Sequence, residues 1–240
     1  MLRGMWLVPL AASIVASGFA LLLVRRYLTR RRPAELLWAI ALLMYAGASV
    51  ALFLGVLDGW SAPEYRTYWL FGAVLNVPYL AAGELFLLAK DARVRRPTLL
   101  LLLFATAVAV ARIRTAPLDT GALVADLPRG AEAWVGDSLA LDLARFYAFP
   151  TYAFLVGGTV WSAWRMRGRS EKRDRFLGTL AIAVGATVVA AGSAFALTGN
   201  VVGFSLTLTT GIAVMFWGFL RASRQPTARG GTVTTADDSG

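Results

Sequence analysis

Residues 65–90 read YRTYWLFGAVLNVPYLAAGELFLLAK, and this stretch decides how the rest of the chain is understood. Crossing about 30 Å of hydrocarbon takes about 20 apolar residues. The stretch is long enough, yet it carries Asn76, Pro78, Tyr79 and Glu84. Pro78 removes the N–H that would serve the carbonyl of Val74, which predicts a local polar spot. Asn76 beside it either binds a polar ligand group or bonds a neighbouring helix. Gly72, Asn76, Tyr79 and Gly83 fall on one stripe of a helix. Glu84 lies six residues before Lys90, roughly 9 Å in from that end at 1.5 Å per residue. It reads as the one acid inside a span, handling protons or cations, or else as an anchor paired with Arg25 or Arg165. Asn76, Tyr79 and Glu84 are therefore the candidate ligand-binding or transport residues.

Six further apolar runs of spanning length surround this one. With it they predict an all-α polytopic membrane protein, seven transmembrane helices in one bundle. The spans fall at residues 5–24, 34–57, 68–89, 97–111, 145–164, 176–197 and 201–220. The first resembles a signal peptide only in position, because its arginines follow the apolar run rather than precede it. Along the second, Trp38, Ala41, Tyr45, Ala48, Leu52 and Gly55 share a face, either a pocket wall or a helix contact rich in small residues. The fourth is the shortest and least polar and is expected to face lipid. Gly178, Gly185, Gly192 and Gly199 recur every seven residues in the sixth, a groove for close helix approach. Ser205, Thr207, Thr209 and Thr210 in the seventh can bond their own helix.

Residues 112–143 form the sizeable connection, with a turn at Leu127-Pro128-Arg129-Gly130 between two half-apolar stretches. A small external hairpin or cap is expected there. The bundle occupies residues 1–221, and the polar tail at 222–240 is expected to be disordered.

Charge orients the bundle. The connections after spans one, three and five, with the tail, hold 18 of the 24 basic residues, and the opposite side holds seven acids. That bias places the N-terminus outside and the C-terminus in the cytoplasm. Spans one and five also share an early proline (Pro9, Pro150) and small residues at mid-depth (Ala16-Ser17, Gly157-Gly158) before a basic loop. A parallel repeat of three spans, one linker span and three spans would produce this.

Composition narrows the chemistry. Hydrophobic residues make up 58% of the 240, with mean hydropathy +0.61, against roughly 45–50% apolar residues in soluble domains. The net charge of +10 sits in short loops, where lipid headgroups explain it; no nucleic-acid partner is expected. The chain has no cysteine and no histidine. Thiol nucleophiles, histidine bases and zinc sites built on those residues are excluded, and no cofactor or metal site is expected. A retinal protein needs a lysine in its last span, and Lys90 and Lys172 both lie in loops.

Residues Gly59-Trp60-Ser61, the run from Tyr65 to Pro78, and Phe216-Trp217-Gly218-Phe219-Leu220 resemble a group of uncharacterised multi-span membrane proteins of GC-rich Gram-positive bacteria. The resemblance implies the topology above and the bacterial plasma membrane. It carries no activity and no catalytic residue. The functional expectation is a non-enzymatic membrane module that binds a small or lipidic ligand, or a protein partner. The alternative is a small transporter or proton-coupled permease using Asn76, Tyr79 and Glu84. An intramembrane enzyme would have to rest on Glu84 and tyrosines.

Overall fold

The computed structural model describes residues 7–89, 91–124, 127–136, 139–166, 173–197 and 200–222. Seven long helices follow one another: α1 (Leu7–Arg30), α2 (Pro33–Asp58), α3 (Ala62–Leu88), α4 (Ala92–Thr115), α5 (Leu139–Met166), α6 (Arg173–Leu197) and α7 (Val201–Ala222). All except α6 are long and apolar enough to cross a membrane; within α6 the apolar stretch is the shorter Phe176–Gly192. The described residues contain no strand, and the chain has the length and composition of a multi-pass membrane protein. The tail at 223–240, the basic connection at 167–172, and Thr198 and Gly199 lie outside the described residues.

Helices start and stop where the sequence supplies caps. Pro33 opens α2, where a missing N–H costs nothing. Ser61 and Glu64 close a reciprocal capping box at the head of α3. Two spans are longer than their sequences suggested. The fourth begins at Ala92 rather than at Pro97, because the Asp91 side chain accepts from the N–H of Arg93 at 2.9 Å and caps it earlier. The fifth begins at Leu139, so Pro150 is well inside it, and Asp142 and Arg145 sit on its first turns, 3.9 Å apart.

α3 is a composite. An α segment (Ala62–Tyr68) passes into a π segment (Trp69–Leu75) and back to α (Asn76–Leu88). A proline ring clashes with the carbonyl four residues earlier, here Val74, inside the π segment. The wider π turn gives that ring room, and segments of this kind recur at functional positions.

The helices form a closed ring. α1 packs on α2, α2 on α3, α3 on α5, α5 on α6, α6 on α7, and α7 returns to α1. α4 stands outside, against α3 and α5. α4 buries only Leu102, Ala109 and Ile113, and exposes Leu99, Leu100, Leu101, Leu103 and Phe104. It has the apolar outer face expected of the fourth span.

Glycine sets the contact between α6 and α7. A Cβ on Gly185 would meet Met215 and the carbonyl of Gly211 at 2.5 and 2.6 Å; one on Gly218 would meet the carbonyl of Gly178 at 2.6 Å. Gly178 and Gly185 thus face Gly218 and Gly211, a second pair seven residues apart on α7, whereas Gly192 faces Thr207, and along the glycine pairs the backbones approach as closely as small residues permit. Of the glycine pair in α5, Gly158 faces α3, whereas Gly157 has open space around it. Gly211→Val should therefore destabilise the protein by about 1–3 kcal/mol through overpacking, read as a lower unfolding temperature in detergent, while Gly157→Val leaves that temperature in place.

Candidate functional site

The axis of the ring contains a small chamber. Its walls come from α1 (Phe19), α2 (Trp38, Leu42), α3 (Leu80, Glu84), α5 (Leu155), α6 (Ile182) and α7 (Met215, Phe219). Every ring helix contributes and α4 does not. The space amounts to about 20 Å³, room for one water-sized particle.

Glu84 is the ionisable residue in the wall of this chamber. It is 3% exposed and makes no ion pair among the described residues. Gly158 of α5 makes room for it, since a Cβ there would sit 3.4 Å from the Glu84 Cγ. The expected pairing with Arg25 is not among the ion pairs of the described residues; Arg25 is exposed at the end of α1. The acid that does meet an arginine is Glu35, 4.0 Å from Arg26. Glu35 lies in the first turn of α2 and is 6% exposed. Glu84 is thus not the sole acid within a span. The sequence held a signal for this: Pro33 fixes the helix start and so puts Glu35 inside it, where the positive end of the helix dipole favours a carboxylate.

Aromatic rings separate the chamber from the Arg26–Glu35 pair. Phe219 lies between Phe19, with centroids 5.1 Å apart, and Trp38, 6.4 Å away edge-on. The Arg26 guanidinium rests over Phe219 at 4.8 Å. Trp38 is held by its Nε1–H, which donates to the Leu80 carbonyl at 3.0 Å, and by Gly83, where any side chain would collide with the indole. The small-residue face of α2 is therefore a helix contact that also supplies a chamber wall.

Asn76 and Tyr79 turn elsewhere. Asn76 donates from Nδ2 to the Ala41 carbonyl of α2 at 2.8 Å. The Tyr79 hydroxyl meets Thr106 of α4 at 3.1 Å. Neither lines the chamber. Asn76 and Tyr79 tie α3 to two different neighbours, while Glu84 packs beside Gly158 of α5. In α7, Thr207 and Thr209 bond the carbonyls of Gly203 and Ser205 in their own helix.

At the opposite end from Arg26, the connection between α4 and α5 folds as a cap. It consists of a 3-10 turn (Thr120–Val124) and one helical turn (Gly130–Ala133), with an isolated bridge between Leu118 and Trp134 in place of the expected hairpin. Its anchor is Trp134, 2% exposed, packed on Tyr65 and Trp69 with centroids 5.7 and 5.9 Å apart. Trp69 donates to the Ala140 carbonyl at 3.0 Å, and Gly130 is small where that indole passes. Arg66 donates to the carbonyls of Ile113 and Ala116, the latter at 2.7 Å, and stacks over Trp134. At the other end of the same helix pair, Arg95 donates to Ala89 and Phe86 at 2.7 and 2.6 Å. Each arginine satisfies the orphan carbonyls that end the partner helix. A second, open cleft of about 460 Å³ lies between α3 and α4 beside Arg66 and Arg114, over Leu70, Phe71, Val110 and Ile113.

Arg66→Gln should loosen the cap by about 2–3 kcal/mol, because hydrogen bonds from a charged donor are lost. Limited proteolysis of the purified protein checks this, with faster cleavage between Ala116 and Gly136 as the expected result. The chain matches no protein-family model, no curated protein and no solved structure, so these assignments stand on the geometry of the chain itself.

Proposed function

We propose that the chain is a seven-span protein of the bacterial plasma membrane, N-terminus outside and C-terminus cytoplasmic, that works as a non-enzymatic binding module for a small ligand seated in the axial chamber. One observation carries this reading: six helices from both halves of the chain meet around one space, with the buried Glu84 in its wall. The arginine bias of the loops supports the orientation, and the likeness to multi-span proteins of GC-rich Gram-positive bacteria supports the location. Catalysis receives less support, since Glu84 has no second acid, base or nucleophile in the chamber wall. Transport through Asn76, Tyr79 and Glu84 together receives less as well, because the three point away from one another. A transporter built on Glu84 alone would use the same chamber, and binding is the step both readings share.

The absence of native cysteine makes the chamber directly testable. Leu155→Cys replaces a wall side chain with a smaller one and so widens the chamber, and the neutral reagent methyl methanethiosulfonate should modify the thiol in membranes and in detergent. Ala109→Cys, buried where α4 meets the bundle, should stay unmodified under the same conditions. Equal inertness of the two positions would remove the binding reading.

A further inference from the structure

We propose that the open cleft between α3 and α4 holds one anionic phospholipid of the outer leaflet, its phosphate at the rim formed by Arg66 and Arg114 and an acyl chain on the apolar floor below. The inference uses the membrane placement proposed above and is independent of the axial chamber.

The rim carries two guanidinium groups. Arg114 stands in the last turn of α4 and is exposed. Arg66, near the start of α3, reaches the carbonyl of Ile113, the residue next to Arg114, so both charges lie at one end of the cleft. Its bonds to Ile113 and Ala116 take two of the five N–H donors of a guanidinium and go to neutral carbonyls, which leaves its charge in place. A phosphodiester is the complement of such a rim, because guanidinium forks match phosphate oxygens in charge and in geometry.

The floor selects a lipid over a free anion. Leu70 and Phe71 of α3 and Val110 and Ile113 of α4 form it, under an opening of about 460 Å³. An inorganic anion would use the rim and leave this apolar surface in contact with water. The surface also continues beyond the cleft. On α4, Arg114, Val110, Ala107 and Leu103 follow one another at steps of four, three and four and share a face, and Ala107 and Leu103 are exposed. From Arg114 to Leu103 the helix rises roughly 16 Å at about 1.5 Å per residue, against roughly 15 Å for half of the hydrocarbon core. A cationic end followed by apolar surface to the depth of one leaflet has the proportions of a phospholipid.

Native mass spectrometry of the detergent-purified full chain tests this. Phosphatidylglycerol and phosphatidylcholine with the same oleoyl chains are titrated separately, and each variant is first shown to elute as a monodisperse species. One phosphatidylglycerol should be retained at roughly tenfold lower concentration than phosphatidylcholine, the scale of a charge-assisted hydrogen bond. Arg114→Gln should remove that preference. Val110→Trp, which fills the floor and keeps every charge, should weaken the binding of both lipids. Arg112→Gln removes an equal charge from the same helix end at an exposed position outside the cleft, and should keep the preference. Inorganic phosphate at millimolar concentration should leave the lipid bound. Equal retention of the two lipids by the unmodified chain overturns the assignment, as does a loss of preference in Arg112→Gln as large as in Arg114→Gln, which would mark general charge attraction. Unchanged binding to Val110→Trp would show that the floor is not used, and displacement by inorganic phosphate would assign the rim to a soluble anion; either result also overturns the lipid. None of these results bears on thiol labelling of the chamber, so the two readings fail separately.

Discussion

The contact between the first and last helices governs the rest of the molecule. Phe19 of α1 lies against Phe216 and Phe219 of α7, with ring centroids 4.9 and 5.1 Å apart. Without that contact six helices would make an open row, and Glu84 would look out on whatever surrounds it. With it, the row closes, and Glu84 is buried inside the ring. Aromatic pairs of this geometry add to area burial by about 0.5–1.5 kcal/mol each, so closure is stable while the individual rings stay replaceable.

Closure also depends on close backbone approach elsewhere around the ring. α6 and α7 meet through glycines, and α2 and α3 meet through Trp38 on Gly83 and Ala48 on Gly72. Where apolar side chains find lipid as favourable as one another, such fit and the hydrogen bonds across helices decide which pairs form. Asn76 to Ala41 and Tyr79 to Thr106 are bonds of that kind. α4 uses a different device. It buries little of its surface and is tied at both ends by arginines, Arg66 on its last carbonyls and Arg95, from its own first turns, on the last carbonyls of α3.

Much of this arrangement could be read from the sequence. Apolar length gave the helices, the sevenfold glycines gave the α6–α7 groove, and the leucine run gave the outer position of α4. Chain order did not reveal that the ring closes, because aromatic residues nearly two hundred positions apart carry no local sign of meeting. The candidate site was half legible. Glu84 stood out by charge, but a stripe on α3 could not say which helices Asn76 and Tyr79 meet, since two residues three apart on one stripe reach different neighbours, Ala41 of α2 and Thr106 of α4. Glu35 escaped notice because an acid in a first turn resembles an interfacial residue until its burial is seen. The cap was legible as a turn signal alone; its anchor, Trp134 on Tyr65 and Trp69, joins segments far apart in the chain.

Ring closure can be measured without disturbing the chamber. With p-benzoylphenylalanine in place of Phe19, irradiation of intact membranes should cross-link α1 to the peptide that contains Phe216 and Phe219, identified by mass spectrometry. Cross-linking instead to residues 92–115 of α4, with none to α7, would contradict the closed ring and with it the enclosed carboxylate.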